Sequence, residues 1–377
     1  MYRLEGVIQH YAWGSTSALS DLLGVEPRGR PEAELWFGAH PRGPAAVQLG
    51  DRSVGLDRLI ADDPVGQLGA DHRELPFLAK ILAASQPLSI QTHPDREQAE
   101  AGFAREQAEG IAVDAFERSF RDRNPKPELI CALTPFEALC GFCPPDSSAD
   151  RLADLDVVAL VPLIEGLRGP EAAAVRVERA LDWLWSRPGE QAASLVGDVA
   201  AASGSGLVRR LQASHPGDIG VLVSQLMHHI ELQPGEALFL GPGNLHSYLR
   251  GIAVELMVSS DNVVRGGLTT KHIDRAVLMD IVDCTPASPV VQRPDGPVHR
   301  YDAMVDDFSL WRIDRAATTL DLAGPAIAVT TDGSVELAAA RQRLTLARGQ
   351  AAWIPAGSAP LSIAAERGQL HLATTGS

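Results

Sequence analysis

The sequence predicts a mainly β chain with an α insertion: two β-barrels plus an α-helical domain. Three observations predict it. From Met1 to about Cys143, short apolar runs are broken by Gly, Pro and Asp, the punctuation of strands and tight turns. Composition then changes at Pro144-Pro145-Asp146-Ser147-Ser148, and as far as Ile230 the chain is rich in Ala, Leu and Arg at helical spacing. Short strands return after Ile230 and carry an internal repeat. In it, Gly235, Gly241, Gly243 and His246 align with Gly349, Pro355, Gly357 and Pro360. The expected division is 1–144 with 230–285 as one discontinuous barrel, 145–229 as the helical insertion, and 286–377 as a second barrel.

The elements follow in order. Runs 75–82 and 88–93 read as strands, and 95–109 as a polar helix capped by Asp95. A strand follows Glu128, over 129–133. The insertion holds a helix over 170–185. It is broken at Pro188-Gly189, Ser203-Gly204-Ser205-Gly206 and His215-Pro216-Gly217-Asp218. Strands over 231–240, 245–249 and 252–258 are separated by Pro-Gly, Gly-Pro-Gly-Asn and Arg-Gly turns. After Thr285 the pattern is short strands throughout.

Bulk properties narrow the function classes. A chain of 377 residues with 45% hydrophobic content can bury two or three cores. No apolar run reaches the roughly 18 residues of a membrane span, and no N-terminal leader pattern is present, so a cytoplasmic protein without a membrane partner is expected. A net charge of −15 argues against nucleic acid. It leaves room for an anionic small molecule held by a local basic cluster. Cys140 and Cys143 have CxxC spacing but no second pair, and Cys131 and Cys284 are isolated, so reduced thiols are expected rather than a structural zinc.

The most informative stretch is Ser89-Ile90-Gln91-Thr92-His93-Pro94. Alternation on a strand puts Ser89, Gln91 and His93 on one face. Glu128 and His246 occupy similar strand-entry settings. Two imidazoles, a carboxylate and an amide oxygen suit a divalent metal, zinc first by ligand type. His228 and His229 lack such support and read as packing or surface residues. Of 33 basic residues only Lys80, Lys126 and Lys271 are lysine. A chain this rich in arginine uses lysine where a compact, titratable ammonium is wanted. Glu255 lies opposite the apolar face formed by Ile252, Val254, Leu256 and Val258. A carboxylate pointing into a barrel there would have a raised pKa suited to proton transfer.

The repeated glycine turn resembles the second motif of cupins, small jelly-roll barrels. Six motifs together resemble the type I phosphomannose isomerases. They are Tyr11-Ala12-Trp13-Gly14-Ser15, Glu34-Leu35-Trp36-Phe37-Gly38-Ala39-His40-Pro41, Leu75-Pro76-Phe77-Leu78-Ala79-Lys80, Leu88 through Pro94, Lys126-Pro127-Glu128, and Ser260-Asp261-Asn262 through Arg265 to Lys271. The resemblance covers nearly the whole chain. It implies two cupin-like barrels, the first holding one zinc per monomer through Gln91, His93, Glu128 and His246, the second metal-free. It implies an essential Arg265 and substrate contacts from Trp13, Lys80, Ser89, Lys126, Tyr248, Glu255, Asp261 and Lys271.

The implied reaction converts mannose 6-phosphate to fructose 6-phosphate through an enediol(ate). Glu255 is the first candidate for the base and Lys126 for a proton donor, with Lys80, Ser89 and Lys271 on the phosphate. The chain departs from the family at Pro125, where a histidine is common, and at Gly241, where proline is usual. A non-catalytic sugar-phosphate-binding cupin and a metal-dependent cupin oxygenase stay open as alternatives. His299 and His371 of the second barrel are expected to lack carboxylate partners at ligand spacing. The oligomeric state is left open.

Overall fold

The computed structural model describes residues 1–376 and is mainly β, in two large antiparallel sheets with a helical layer beside the first. The first sheet runs Val7–Gln9, Glu34–Phe37, Phe77–Ala84, His246–Val258, Glu128–Ala132, Ala237–Leu240 and Val291–Gln292. The second holds the strands from Val298–Tyr301 to Leu361–Thr374.

Strand His246–Val258 organises the site. Its first half pairs with Ile90–Thr92 and Phe136–Phe142, its second half with Phe77–Ala84 and Glu128–Ala132. The Arg250-Gly251 pair, expected to be a turn, is instead the bend where one continuous strand changes partners. Gly251 has φ +124°, and a Cβ there would stand 2.7 Å from the Pro135 carbonyl, so only glycine fits. Val254, Leu256 and Val258 pack in a core with Phe37, Phe77, Tyr301, Ile327 and Trp353, which joins the two sheets. Glu255 therefore points the other way, into the first barrel, as alternation requires.

The insertion forms helices from Pro145–Ala153 to Gly220–Val223, and Ala173–Trp185 occupies the span read as helical. Their apolar faces share a core with Ile90, Leu139, Phe142 and Leu245, so the helices back the strands that carry the site. Helix Arg96–Ala108 begins with a capping box: the Asp95 side chain accepts from the Gln98 N–H while the Gln98 side chain accepts from the Asp95 N–H.

The repeat is structural. Gly235 and Gly349 both have φ above +80°, and strands Ala237–Leu240 and Ala351–Ile354 follow each at the same offset. Gly243 and Gly357 then turn into the long strands His246–Val258 and Leu361–Thr374. Those strands are longer than the short runs expected. Sheet pairing also crosses the sequence boundaries. Strands Tyr2–Glu5, Ala46–Leu49 and Arg52–Gly55 join the second sheet, and Val291–Gln292 joins the first. Backbone edges seek the nearest open strand, whatever their place in the chain.

The second sheet carries two histidines, His299 and His371. His299 has a carboxylate partner after all, with Nδ1 2.8 Å from Asp295 Oδ1. His371 is buried between Cys131, at 3.7 Å, and Thr331, at 3.1 Å. Burial, helped by Arg312, pushes its pKa down to about 3. The folded protein then binds fewer protons than the unfolded chain between the ordinary histidine value and about 3. His371 thus favours the fold above about pH 6.5, and that contribution is lost as pH falls below it. Denaturant midpoints between pH 7 and 4 should drop less steeply in His371→Gln. The difference in slope should not exceed about 1.4 kcal/mol per pH unit, the limit for one proton.

Candidate active site

Strand register collects the site. Residues directly opposite on an antiparallel pair share a face. Gln91 is opposite His246 on one side and Arg265 on the other, and His93 lies two further along from Gln91. On the adjoining sheet, Glu255 is opposite Lys80, Lys80 is opposite Trp36, and Met257 is opposite Glu128.

His93, Glu128 and His246 are all buried, and their ligand atoms lie within 4.8 Å of one another. Glu128 Oε1 is 3.3 Å from His93 Nε2, and Oε2 is 3.4 Å from His246 Nε2. Each imidazole donates its other N–H to a backbone carbonyl: His93 Nδ1 to Asn262 at 2.7 Å and His246 Nδ1 to Asn244 at 3.0 Å. That fixes the tautomer and leaves both Nε2 lone pairs buried, converging and without a hydrogen-bond partner. A buried, unpaired acceptor is costly unless something binds it. Two such acceptors beside a carboxylate fit a divalent cation. Among the described residues this is the one His/Cys/Asp/Glu cluster of that kind. Gln91 is half-buried on the same face, where its amide oxygen can complete the set.

The carboxylate of Glu128 is heavily supported. Lys126 Nζ lies 2.8 Å from Oε1, and Tyr248 OH donates to Oε2 at 3.1 Å. Burial opposes its charge, but Lys126, His93 and His246 outweigh that and hold its pKa well below the ordinary range. Tyr248, expected to touch substrate, is buried and spends its hydroxyl on Glu128. Lys80 departs from expectation too. Its ammonium is buried, 2.8 Å from Glu255 and 3.5 Å from Glu34, so it offers no free charge to a phosphate. Burial pushes the Glu255 carboxyl upward; Lys80 pulls it down, and Glu128 and Glu34 push it up again.

Arg265, Lys271, Arg121 and Arg42 form a basic cluster whose charges act on one another. Burial lowers the Arg265 guanidinium to about 10, with Arg121 adding to the effect. Lys271 is lowered by burial and by Arg265, Arg121 and Arg42. Ser89 is half-buried beside Gln91, and Trp13 stacks on Tyr11 with centroids 5.7 Å apart. Asp261 is paired with Arg42, and its Oδ2 lies 3.4 Å from His40 Nε2.

Sequence reasoning missed Arg121, Arg42 and Asn262. Arginine is too common in this chain for scarcity to single any out. Asn262 stood inside a quoted motif, and its work is now visible. Its side-chain oxygen accepts from the N–H groups of Arg121 and Asp122 at 2.7 and 3.1 Å, while its carbonyl holds His93.

The fold and site define a metal-binding β-barrel of the cupin type. The model of the family "Phosphomannose isomerase type I, catalytic domain" matches residues 1–145. The mannose-6-phosphate isomerase of Escherichia coli is 37% identical over 96% of this chain and 97% of its own, and that of Rattus norvegicus is 31% identical over 96% and 95%. A mutant phosphomannose isomerase from Salmonella typhimurium superposes with a TM-score of 0.93 at 34% identity, covering all of both chains. A zinc-bound mannose 6-phosphate isomerase superposes at 0.91 with 33% identity, over 100% of this chain and 99% of that one. The chain belongs to the mannose-6-phosphate isomerase family and is an enzyme.

Proposed function

We propose that the enzyme interconverts mannose 6-phosphate and fructose 6-phosphate with one zinc ion per chain held by Gln91, His93, Glu128 and His246. The observation that carries this reading is the pair of buried, unpartnered Nε2 atoms facing Glu128 in a barrel of this family. The bound ion would supply a Lewis acid beside the sugar oxygens.

The chain's own residues do the rest. Glu255 takes the proton from C2 of the aldose and returns it to C1, leaving an enediolate between the two transfers. Lys126 holds its ammonium beside Glu128, where it can pass a proton to O1 and take one back from O2, so that the oxygen protons balance. Arg265 places a fixed positive charge where the enediolate forms. Ser89, Lys271 and Arg121 receive the phosphate, Trp13 covers the pocket, and Asp261 meets a sugar hydroxyl. The second barrel serves as metal-free support, with Pro360 standing where the first barrel has His246. Four unpaired cysteines are consistent with a cytoplasmic setting.

Metal analysis together with a coupled isomerase assay tests the proposal. About one zinc per chain and turnover lost on chelation support it. Stoichiometric iron with oxygen consumption, or sugar-phosphate binding without turnover, sinks it.

A narrower prediction concerns Lys126. Its ammonium fits a buried space against Glu128, and arginine cannot enter without a larger, planar head that stays charged. Lys126→Arg should lower kcat at least about tenfold. Near-normal kcat in that variant would reduce Lys126 to a simple charge contact.

A further inference from the structure

Glu34 opens one of the six sequence motifs and is neither a metal ligand nor a substrate contact in the proposed reaction. It is buried on strand Glu34–Phe37. Its Oε2 accepts the Trp36 indole N–H at 2.7 Å, and its Oε1 lies 3.5 Å from Lys80 Nζ. Lys80 in turn reaches Glu255 at 2.8 Å and lies 5.5 Å from the Trp36 ring centroid. One buried ammonium therefore stands between two buried carboxylates.

A Lys80–Glu255 pair alone would be neutral. Adding Glu34 buries a second negative charge, which is costly unless a proton is taken up. The indole N–H stabilises the ionised form of Glu34, so a proton delivered to the cluster goes to Glu255. That is the condition of a base poised to accept one.

We infer that Glu34 is a positioning residue for the isomerisation: it fixes Lys80 against Glu255, and its negative charge makes Glu255 a stronger base. The inference rests on Glu255 being the base. The charged and titratable groups facing Glu255 are Lys80, Glu34, Glu128, Lys126 and Tyr248, and Tyr11 faces Glu34. The upward shift of Glu255, to which Glu34 contributes, agrees with this arrangement.

Glu34→Gln keeps the shape and removes the charge, and its single amide oxygen can accept from either Trp36 or Lys80 but not from both. In the zinc-loaded enzyme, the acidic limb of kcat should move down by about one pH unit. Neutral-pH kcat should fall about tenfold with little change in KM. The carboxyl ¹³C titration of Glu255 in the metal-free protein should move down with it, and zinc content should hold. Trp36→Phe removes the donor that favours the ionised form of Glu34, so it should lower kcat and move the limb in the same direction as Glu34→Gln, but less far. An unmoved limb and titration in Glu34→Gln overturn the inference. If that variant does not fold, Glu34→Asp decides: it should keep the limb and lower kcat, and wild-type kcat there overturns the inference. Glu255→Gln separates the two readings. Lost turnover there with an unmoved Glu34→Gln limb sinks only the role of Glu34, whereas retained turnover removes Glu255 as base and the inference with it.

Discussion

Replacing His246 with alanine is expected to abolish metal binding and turnover together while leaving a folded protein. His246 brings a buried Nε2 to within 3.4 Å of Glu128, and its ring is aimed by the Asn244 carbonyl. Losing a partner that merely orients a ligand costs roughly 10–100-fold in affinity, so losing the ligand itself should cost more. Turnover should fall by about 10³-fold or further, since the Lewis acid supplies several kcal/mol. The fold should survive, because Lys126 and Tyr248 still hold Glu128 and the strand keeps its pairing through Gly251 to Val258. Zinc stoichiometry and thermal unfolding of the same sample test this. Full occupancy in the variant would take His246 out of the site.

Much of this site was legible because strand alternation is a strict rule. His246 with Tyr248, and Glu255 against Val254 and Leu256, follow from period two and are repeated by the observed register, while His93, one residue past the end of strand Ile90–Thr92, still reaches Glu128 and His246. The helix cap at Asp95 was equally local, and the structure has it there, with Gln98 completing a capping box that the sequence reading did not include. What stayed hidden depends on contacts between distant segments. No local pattern says that Lys80 will meet Glu34 and Glu255, 46 and 175 positions away, and so be unavailable to a phosphate. Nor does any local pattern place Tyr2–Glu5 beside Ala351–Ile354 in the second sheet. The Arg250-Gly251 pair misled for a related reason. Glycine marks both turns and bends within strands, and only the neighbouring Pro135 carbonyl decides between them.

Arg265→Ala should lower kcat by about 10²–10³-fold while changing KM by only a few-fold. Arg265 sits on strand Val264–Gly267 opposite Gln91, beside the site where, in the mechanism proposed above, negative charge would develop on the sugar oxygens. Burial and Arg121 bring its pKa down only to about 10, so it remains charged at neutral pH and cannot itself act as the base. Its charge gains most when the enediolate forms, which is a transition-state effect and not a ground-state one. Substrate binding should be less affected, because Arg121 and Lys271, the residues proposed to receive the phosphate, are unchanged. Arg265→Lys should recover only part of the loss, since an ammonium lacks the planar pair of donors that can span two adjacent oxygens. Steady-state kinetics of both variants at saturating zinc decide the matter. A defect confined to KM would move Arg265 from the reacting carbons to the phosphate, and the stabilising charge at the enediolate would then have to come from Lys126.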